Sequence, residues 1–76
     1  MYQISLTLNN ATRVLDRNLT LAEANTRLEE YHSMEKCFVN RIVSPIVALR
    51  SSGGQSSFVV DHNQDHYIFQ IEEMFN

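Results

Sequence analysis

The sequence has few of the residues that cross-link a chain or interrupt regular structure. In 76 residues there are one cysteine, one proline, two glycines and no tryptophan. Because a single cysteine, Cys37, excludes an internal disulfide, we expect a protein of a reducing compartment, most simply the cytoplasm. Hydrophobic residues make up 43% of the chain. This content and the modest charge predict one small folded domain over residues 1–76 rather than a disordered chain.

Long apolar stretches are also missing. No stretch reaches the roughly eighteen consecutive apolar residues that a membrane helix needs, and residues 1–6 lack the basic start of a signal peptide. The single lysine, Lys36, argues against binding to an anionic membrane surface. We therefore expect no contact with a membrane, and we interpret the Asn-x-Thr triplets at Asn10 and Asn18 as coincidence rather than as glycosylation sites.

Positive charge is absent from the last third of the chain. Residues 1–50 hold six basic and five acidic residues, whereas residues 51–76 hold four acidic residues and no lysine or arginine. Because there is no basic patch of the kind that binds a phosphate backbone, we expect no direct binding of nucleic acid. An acidic region of this kind favours a protein partner with a basic surface.

The first part of the chain has the pattern of a β-hairpin. Residues 2–8 alternate between apolar and polar side chains, which predicts a half-buried strand. The Asn-Asn pair at residues 9–10 is predicted to form the turn. Residues 11–15 are predicted to return as a second strand, with Thr12 and Val14 facing the core.

A helix start follows, after residues 16–18, which are predicted to form a loop. Thr20 and Glu23 have the spacing of a capping box, with the threonine as N-cap and the glutamate reaching back to it. The helix is predicted to run from Leu21 to about Met34. Its apolar stripe, which we expect to pack on a sheet, consists of Leu21, Ala24, Leu28 and Tyr31.

The rest of the chain favours three more strands, at about residues 42–50, 57–60 and 66–73. The segments between them, residues 51–56 and 61–65, are rich in turn-forming residues. The predicted fold class is therefore α+β in the order ββαβββ: a hairpin, one helix packed on one face of the sheet, and a three-stranded antiparallel meander. Residues 35–43 fit a loop, a helix end or a strand, and the order of strands in the sheet stays open.

Residues 42–49 are apolar on both faces of the strand that they predict. Such a run is typical of a central strand, or of a strand whose second face meets a partner. Pro45 cannot donate a hydrogen bond to a neighbouring strand, so it marks a strand start, an edge or a bend.

Two histidines and two aspartates lie close together around the second predicted turn, at Asp61, His62, Asp65 and His66. Imidazole and carboxylate groups suit zinc or another divalent metal, and a tight turn would bring His62 and His66 near each other. The spacing matches no strong zinc signature, and aspartate and asparagine also form turns for backbone reasons. We therefore expect no bound metal and no cofactor, with these four residues as the candidate ligands if one is held.

Three other patterns fall short of a catalytic site. Cys37 near His32 is expected to be a buried, unreactive thiol, because reactive cysteines need a positive and partly exposed setting. Residues 51–54 resemble a phosphate-binding glycine loop but lack its lysine and its strand-to-helix context. The adjacent glutamates at 29–30 and 72–73 point apart in a helix or a strand. We expect a protein that is not an enzyme.

These observations favour a non-enzymatic protein-binding module that regulates or inhibits a larger protein. In general properties the chain is similar to small phage-encoded inhibitors of bacterial defence, such as anti-CRISPR proteins, although no residue motif carries this analogy. Aromatic side chains beside carboxylates are plausible protein-binding groups. The expected partner-binding residues are Asp65, Tyr67, Glu72, Glu73 and Phe75.

Three other interpretations stay open. In one, the aromatic residues of the last third belong to the core and its carboxylates only keep an edge strand soluble. In another, the protein is a structural homo-oligomer, for example a homodimer, that buries residues 42–49. In the last, it is a metal-binding protein that uses residues 61–66.

Overall fold

The computed structural model describes residues 1–49 and 55–74. It confirms the α+β class: over these residues, one antiparallel sheet carries a single helix on one face. The elements are β1 Tyr2–Leu8, β2 Ala11–Leu19, α1 Leu21–Lys36, β3 Ile42–Val43, β4 Val47–Leu49, β5 Gln55–His62 and β6 Asp65–Glu73. Within these ranges, no helix has the length and apolar character needed to cross a membrane.

The strands lie in the order β2-β1-β6-β5-β3, and β4 also pairs with β5, so the two short strands share one outer position of the sheet. The hairpin β1–β2 and the meander that ends in β6 are joined through β1 and β6. Ile4 lies opposite Ile71 and Leu6 opposite Phe69. β6 is therefore an internal strand, so the interpretation in which the C-terminal carboxylates lie on an edge strand is wrong.

The strand predicted over residues 42–50 is interrupted by Ser44, Pro45 and Ile46. Ser44 replaces part of the missing ladder, since its N–H donates to the Val59 carbonyl and its Oγ accepts from the Val59 N–H, both at 2.8 Å. Pro45 has no N–H to contribute, which explains why regular pairing stops there. The turn was predicted over residues 51–56; Arg50 and residues 51–54 lie outside the described residues, whereas Gln55 and Ser56 belong to β5.

Strands β5 and β6 are longer than predicted, and the turn between them is correspondingly tighter. β5 already begins at Gln55, and the turn predicted over residues 61–65 is reduced to Asn63 and Gln64, both with positive φ. A two-residue connection with positive φ at both positions matches the right-handed twist of the two strands. Asp61, which was predicted to be a turn residue, is therefore part of the ladder.

The side chains of β2 point to different faces of the sheet than predicted. Thr12 lies opposite Thr7, with 3.1 Å between their Oγ1 atoms, and Val14 lies opposite Ser5. Thr7 and Ser5 alternate with Leu6, which packs against the core on the helix side. The expected inward orientation of Thr12 and Val14 is therefore wrong: both face away from the helix.

The predicted loop at residues 16–18 is part of β2. Between the pairs Ser5–Val14 and Ile4–Asp16 the register shifts by one residue, which is a β-bulge at Leu15. The bulge lets Leu15 pack against the core while Asp16 accepts a 2.6 Å hydrogen bond from the Tyr31 hydroxyl. Polar residues are tolerated here because β2 is an outer strand of the sheet.

The capping box at the start of α1 is confirmed. The Glu23 N–H donates to Thr20 Oγ1 at 3.1 Å, and the Thr20 N–H donates to Glu23 Oε1 at 3.0 Å. The hydrogen bond from the Thr20 N–H to the Glu23 carboxylate, with a contribution from the Thr20 side chain, lowers the pKa of Glu23. The helix runs to Lys36, about half a turn beyond the predicted end. Arg27 forms an ion pair with Glu30, about one turn further along the helix, with 3.4 Å between Nη1 and Oε2.

Removing the cap is expected to destabilise the fold. Thr20→Ala leaves the Glu23 N–H without its protein acceptor, so the free energy of unfolding should fall by about 0.5–2 kcal/mol. Chemical denaturation measures the change, and Thr26→Ala, on the exposed face of the same helix, is the matched control. An unchanged denaturation midpoint for Thr20→Ala would exclude this capping role.

The core lies between α1 and the covered face of the sheet. Its centre is an aromatic stack, in which the rings of Phe58 and Phe69 lie 4.7 Å apart and nearly parallel. His32 meets Phe58 edge-on at 5.0 Å, and Tyr31 lies 5.9 Å from Phe69. Leu28, from the predicted helix stripe, is fully buried beside them.

Two buried serines differ in how their hydroxyl groups are satisfied. Ser56 donates to Asn25 Oδ1 at 3.1 Å. Ser5 is 0% exposed, and among the described residues its Oγ has no hydrogen-bond partner. A buried hydroxyl without a partner costs about 1–3 kcal/mol of desolvation.

The two serines should therefore respond differently to the same substitution. Ser5→Ala is expected to leave the free energy of unfolding unchanged or to raise it by about 1 kcal/mol, whereas Ser56→Ala should lower it by about 1 kcal/mol. Urea denaturation of both variants measures the contrast. A loss of more than about 1 kcal/mol for Ser5→Ala would show that the Ser5 hydroxyl is hydrogen-bonded in solution.

Candidate functional site

The acidic and aromatic residues expected to bind a partner do not form one surface. Asp65 begins β6 and Glu72 lies near its end, so about 24 Å of extended strand separates them. Tyr67 packs against the core on the helix side, whereas Glu72 points away from the helix. Glu73 is exposed at the end of the strand. Phe75 lies outside the described residues.

The candidate metal ligands are divided between two faces of the sheet. Asp61 and His66 face each other across the β5–β6 hairpin and their side chains are in contact. His62 pairs with Asp65 in the next position, and adjacent positions on a strand point to opposite faces. The expected approach of His62 to His66 is therefore wrong. In the part of the chain that the structure describes, no three His, Cys, Asp or Glu side chains form a possible metal site.

Cys37 is exposed rather than buried, which corrects the expectation from its apolar neighbours. The segment after it forms a turn instead of a strand, and Cys37 itself is the C-cap of α1. Its N–H donates to the Met34 carbonyl at 3.1 Å, and its Sγ lies 3.4 Å from the Ser33 carbonyl oxygen. The thiol thus lies on the outside of the last helical turn.

The concavities of the surface are shallow. One of about 310 Å³ lies at the end of β6, against Gln55, Gln70, Glu72 and Glu73. Two others, of about 330 and 530 Å³, lie along the outer side of α1. No histidine or cysteine lines any of these three.

A surface that the sequence pattern did not single out is the face of the sheet away from α1, here called the open face. No described helix or strand covers it. The strand registers place on it Gln3, Ser5, Thr7, Thr12, Val14, Ile42, Val47, Ser57, Val59, Asp61, His66, Ile68, Gln70 and Glu72.

The open face has an apolar middle and acidic margins. Val59 and Ile68 lie side by side across β5 and β6 and are half-buried, and Val47 on β4 is 51% exposed. Asp61 and Glu72 lie at opposite ends of this apolar middle. Among the residues that the registers place here there is no lysine or arginine: Arg13 lies opposite Leu6 on the helix side. Arg17, also on β2, falls in the stretch of irregular register.

The sequence contained a sign of this face. Ser57, Val59 and Asp61 alternate along β5, and His66, Ile68 and Gln70 alternate along β6. Each set places one β-branched residue between two polar ones, a pattern that also suits a solvated sheet face. The strand registers, which depend on tertiary structure, show that the two apolar residues are neighbours.

A second uncovered surface lies where α1 ends. Phe38 is 52% exposed and Val39 81%; these two side chains are called the loop-end patch, and Ile42 of the open face, 72% exposed, follows them closely in the chain. The Arg41 guanidinium lies 4.2 Å above the Phe38 ring. The ambiguity of residues 35–43 is thereby settled: the helix ends at Lys36, a turn follows, and β3 begins at Ile42.

Comparison with known proteins gives no match for the chain, whether to a family model, to a curated protein or to a solved structure. A functional conclusion therefore depends on the two uncovered surfaces.

Proposed function

We propose that the protein is a non-enzymatic, cytoplasmic protein-binding module that regulates or inhibits a larger protein through its open face. The observation that carries this proposal is the apolar middle of that face, Val47, Val59 and Ile68, which no described element covers. The occupant would be a protein surface that is apolar at its centre and basic at its margin.

The composition of the open face supports this kind of partner. Specific interfaces combine an apolar centre with a polar rim that excludes water and supplies hydrogen bonds. Here Val47, Val59 and Ile68 form the apolar centre. The surrounding hydroxyl and amide groups, which include Thr7, Ser57 and Gln70, can donate to and accept from a partner.

The negative charge of the open face favours a partner whose binding surface has a basic margin. Glu72 lies at one end of the face, and the exposed Glu73 follows it at the same end of β6. A surface carrying charge of one sign speeds encounter with a partner of the opposite sign, and the effect weakens as salt rises. These carboxylates would therefore act on the association rate more than on the lifetime of the complex.

A pair of valine substitutions tests the location of the binding face. Immobilised wild-type protein and two variants, Val47→Lys on the open face and Val39→Lys in the loop-end patch, would be used to capture proteins from a lysate of the source organism. We expect a specific partner that is retained by wild type and by Val39→Lys and lost with Val47→Lys. A partner retained equally by Val47→Lys would move the binding site off the open face.

The acidic end of the face is tested by charge reversal. Glu72→Lys with Glu73→Lys should slow association with the captured partner by about tenfold at low salt and flatten its salt dependence. The matched control, Glu29→Lys with Glu30→Lys, makes the same charge change on the exposed side of α1. Stopped-flow or surface-plasmon kinetics at two salt concentrations measures both. Equal effects of the two double variants would assign the change to net charge alone.

A further inference from the structure

The outer edge of β2 carries backbone groups that the described sheet does not use. β2 stands at one end of the strand order, and among the described strands it pairs with β1 alone. The opposite edge consists of two short strands, interrupted at Pro45. We propose that the edge of β2 at residues 11–14 is a second binding site, which takes an extended acidic segment of a partner protein as an added antiparallel strand.

The turn before β2 decides which of its backbone groups point outward. This turn has two residues, 9–10, with a φ of 56° at the first, so the flanking Leu8 and Ala11 form a hydrogen-bonded pair. Bonded and non-bonded pairs alternate along an antiparallel ladder, which makes the pairs of Thr12 and Val14 with β1 the non-bonded ones. The N–H and C=O groups of Thr12 and Val14 therefore point away from β1.

The regular part of this edge is short. Ala11, Thr12 and Arg13 are exposed and Val14 is half-buried, and the bulge at Leu15 then breaks the regular spacing. Two residues with outward N–H and C=O groups can bond an added strand over three of its residues. Main-chain pairing of this kind recognises an extended segment, and the side chains beside it determine which sequence fits.

Arg13 determines the charge of the segment that fits. It lies between Thr12 and Val14, so its side chain stands directly opposite the central residue of an added strand, in a non-bonded pair, where side chains come closest. No ion pair within the described residues includes Arg13. Asp16, the carboxylate of β2, lies beyond the bulge and accepts from the Tyr31 hydroxyl. A carboxylate at the central position of the added strand would therefore give Arg13 a partner of opposite charge.

The same geometry argues against a second copy of the chain at this edge. Two β2 strands can use all of the outward groups in one antiparallel register, which bonds Thr12 of each copy to Val14 of the other. That register places the two Arg13 side chains directly opposite each other, and like charges in this position are destabilising. The edge of β2 thus suits a different, acidic strand. This inference does not rest on the proposed function, because the open face takes no part in it.

A peptide of defined sequence tests the site. The probe is the acetylated and amidated pentapeptide Thr-Val-Glu-Val-Thr, titrated into ¹⁵N-labelled wild-type protein. We expect amide shifts concentrated in residues 11–14 and a dissociation constant on the order of 1 mM, because so short a strand buries little area. Methylation of the backbone nitrogens of its two valines, which point toward β2, should abolish binding. Methylation of the backbone nitrogen of its glutamate, which points away, should not.

The charge of the site is tested on both partners. Replacing the glutamate of the peptide by lysine, or Arg13→Glu in the protein, should weaken binding by about five- to tenfold, since a pair of opposite charges becomes a pair of like charges. Combining the two changes should restore binding. Lys36→Glu is the matched control: it makes the same change of net charge one helical turn after His32, whose ring bonds to the Ser44 carbonyl at the other side of the sheet. It should bind the original peptide as wild type does.

Any of three results would overturn this inference: no shift at residues 11–14 with about 10 mM peptide, where a contact of this strength should be mostly formed, equal binding by the valine-methylated peptide, or a charge-swapped pair that binds no better than either single change. Shifts of the same amides when the protein alone is concentrated would assign the edge to a second copy instead. The site and the open-face function fail separately, since Val47→Lys leaves residues 11–14 unchanged.

Discussion

Phe69→Ala is expected to lower the free energy of unfolding by about 3–5 kcal/mol, the range for removing a large aromatic side chain from a packed core. Phe69 is 5% exposed, stacks on Phe58 at 4.7 Å and lies 5.9 Å from Tyr31. Its removal leaves a cavity bounded by the sheet and α1, which neither element can fill without moving. Leu28→Ala, at the helix side of the same core, should cost about 2–5 kcal/mol.

The matched control for Phe69→Ala is Phe38→Ala, because the Phe38 side chain is 52% exposed. It should cost less than about 1 kcal/mol, most of it from the lost stacking with Arg41. Urea denaturation with a common slope compares the variants. A Phe69→Ala variant as stable as Phe38→Ala would show that the aromatic stack does not form in solution.

The second large effect concerns stability at high pH. Burial of Tyr31 and its hydrogen bond to Asp16 raise the pKa of the Tyr31 hydroxyl from 10.0 to about 12. Between these values the unfolded chain has lost this proton while the folded protein keeps it. The stabilisation is therefore complete below pH 10 and is lost as pH rises to about 12. It amounts to about 2 kcal/mol, below the full linkage value because the ring is only part-buried.

Tyr31→Phe should remove this part of the pH dependence. The free energy of unfolding of wild type should fall by about 2 kcal/mol more than that of Tyr31→Phe between pH 9 and pH 12. Every other ionisable group is common to the two proteins, so its contribution cancels in the difference. Denaturation curves at several pH values measure it. Parallel pH profiles would mean that the Tyr31 hydroxyl is not protected by Asp16 in solution.

Local sequence patterns were sufficient to predict several elements of the fold. The alternation over residues 2–8 corresponds to β1 at Tyr2–Leu8, and the Thr20–Glu23 spacing corresponds to the observed capping box. Both depend on neighbours within a few residues, which the sequence contains directly. The strand predicted over residues 66–73 likewise corresponds to β6, in which Phe69 and Ile71 are both buried because a covered sheet face repeats every second residue.

Elements that depend on distant residues were not predictable in this way. Residues 16–18 have the polarity of a loop, yet they extend β2 because β1 supplies the hydrogen bonds and the Leu15 bulge corrects the register. Cys37 sits in an apolar sequence, yet it is exposed because α1 ends there. For residues 16–18, pairing with a strand elsewhere in the chain decides between two conformations that the local sequence permits.

The candidate site likewise has some features that the sequence shows and others that depend on strand pairing. The acidic character of the last third was visible in the sequence, but Asp65 and Glu72 lie at opposite ends of β6. The open face emerges only when β5 and β6 are in register, since that pairing sets Val59 beside Ile68. A surface built from single residues of several strands leaves no continuous motif in the chain.

The pairing of β1 with β6 has a consequence for biosynthesis. The ribosome makes β1 well before β6, its inner neighbour, since Tyr2 lies opposite Glu73 and Leu8 opposite Tyr67. Contacts between such distant residues slow folding, because a long loop must close before they form. During translation β1 can pair only with β2, so one side of that hairpin remains open to association with other chains until β6 emerges.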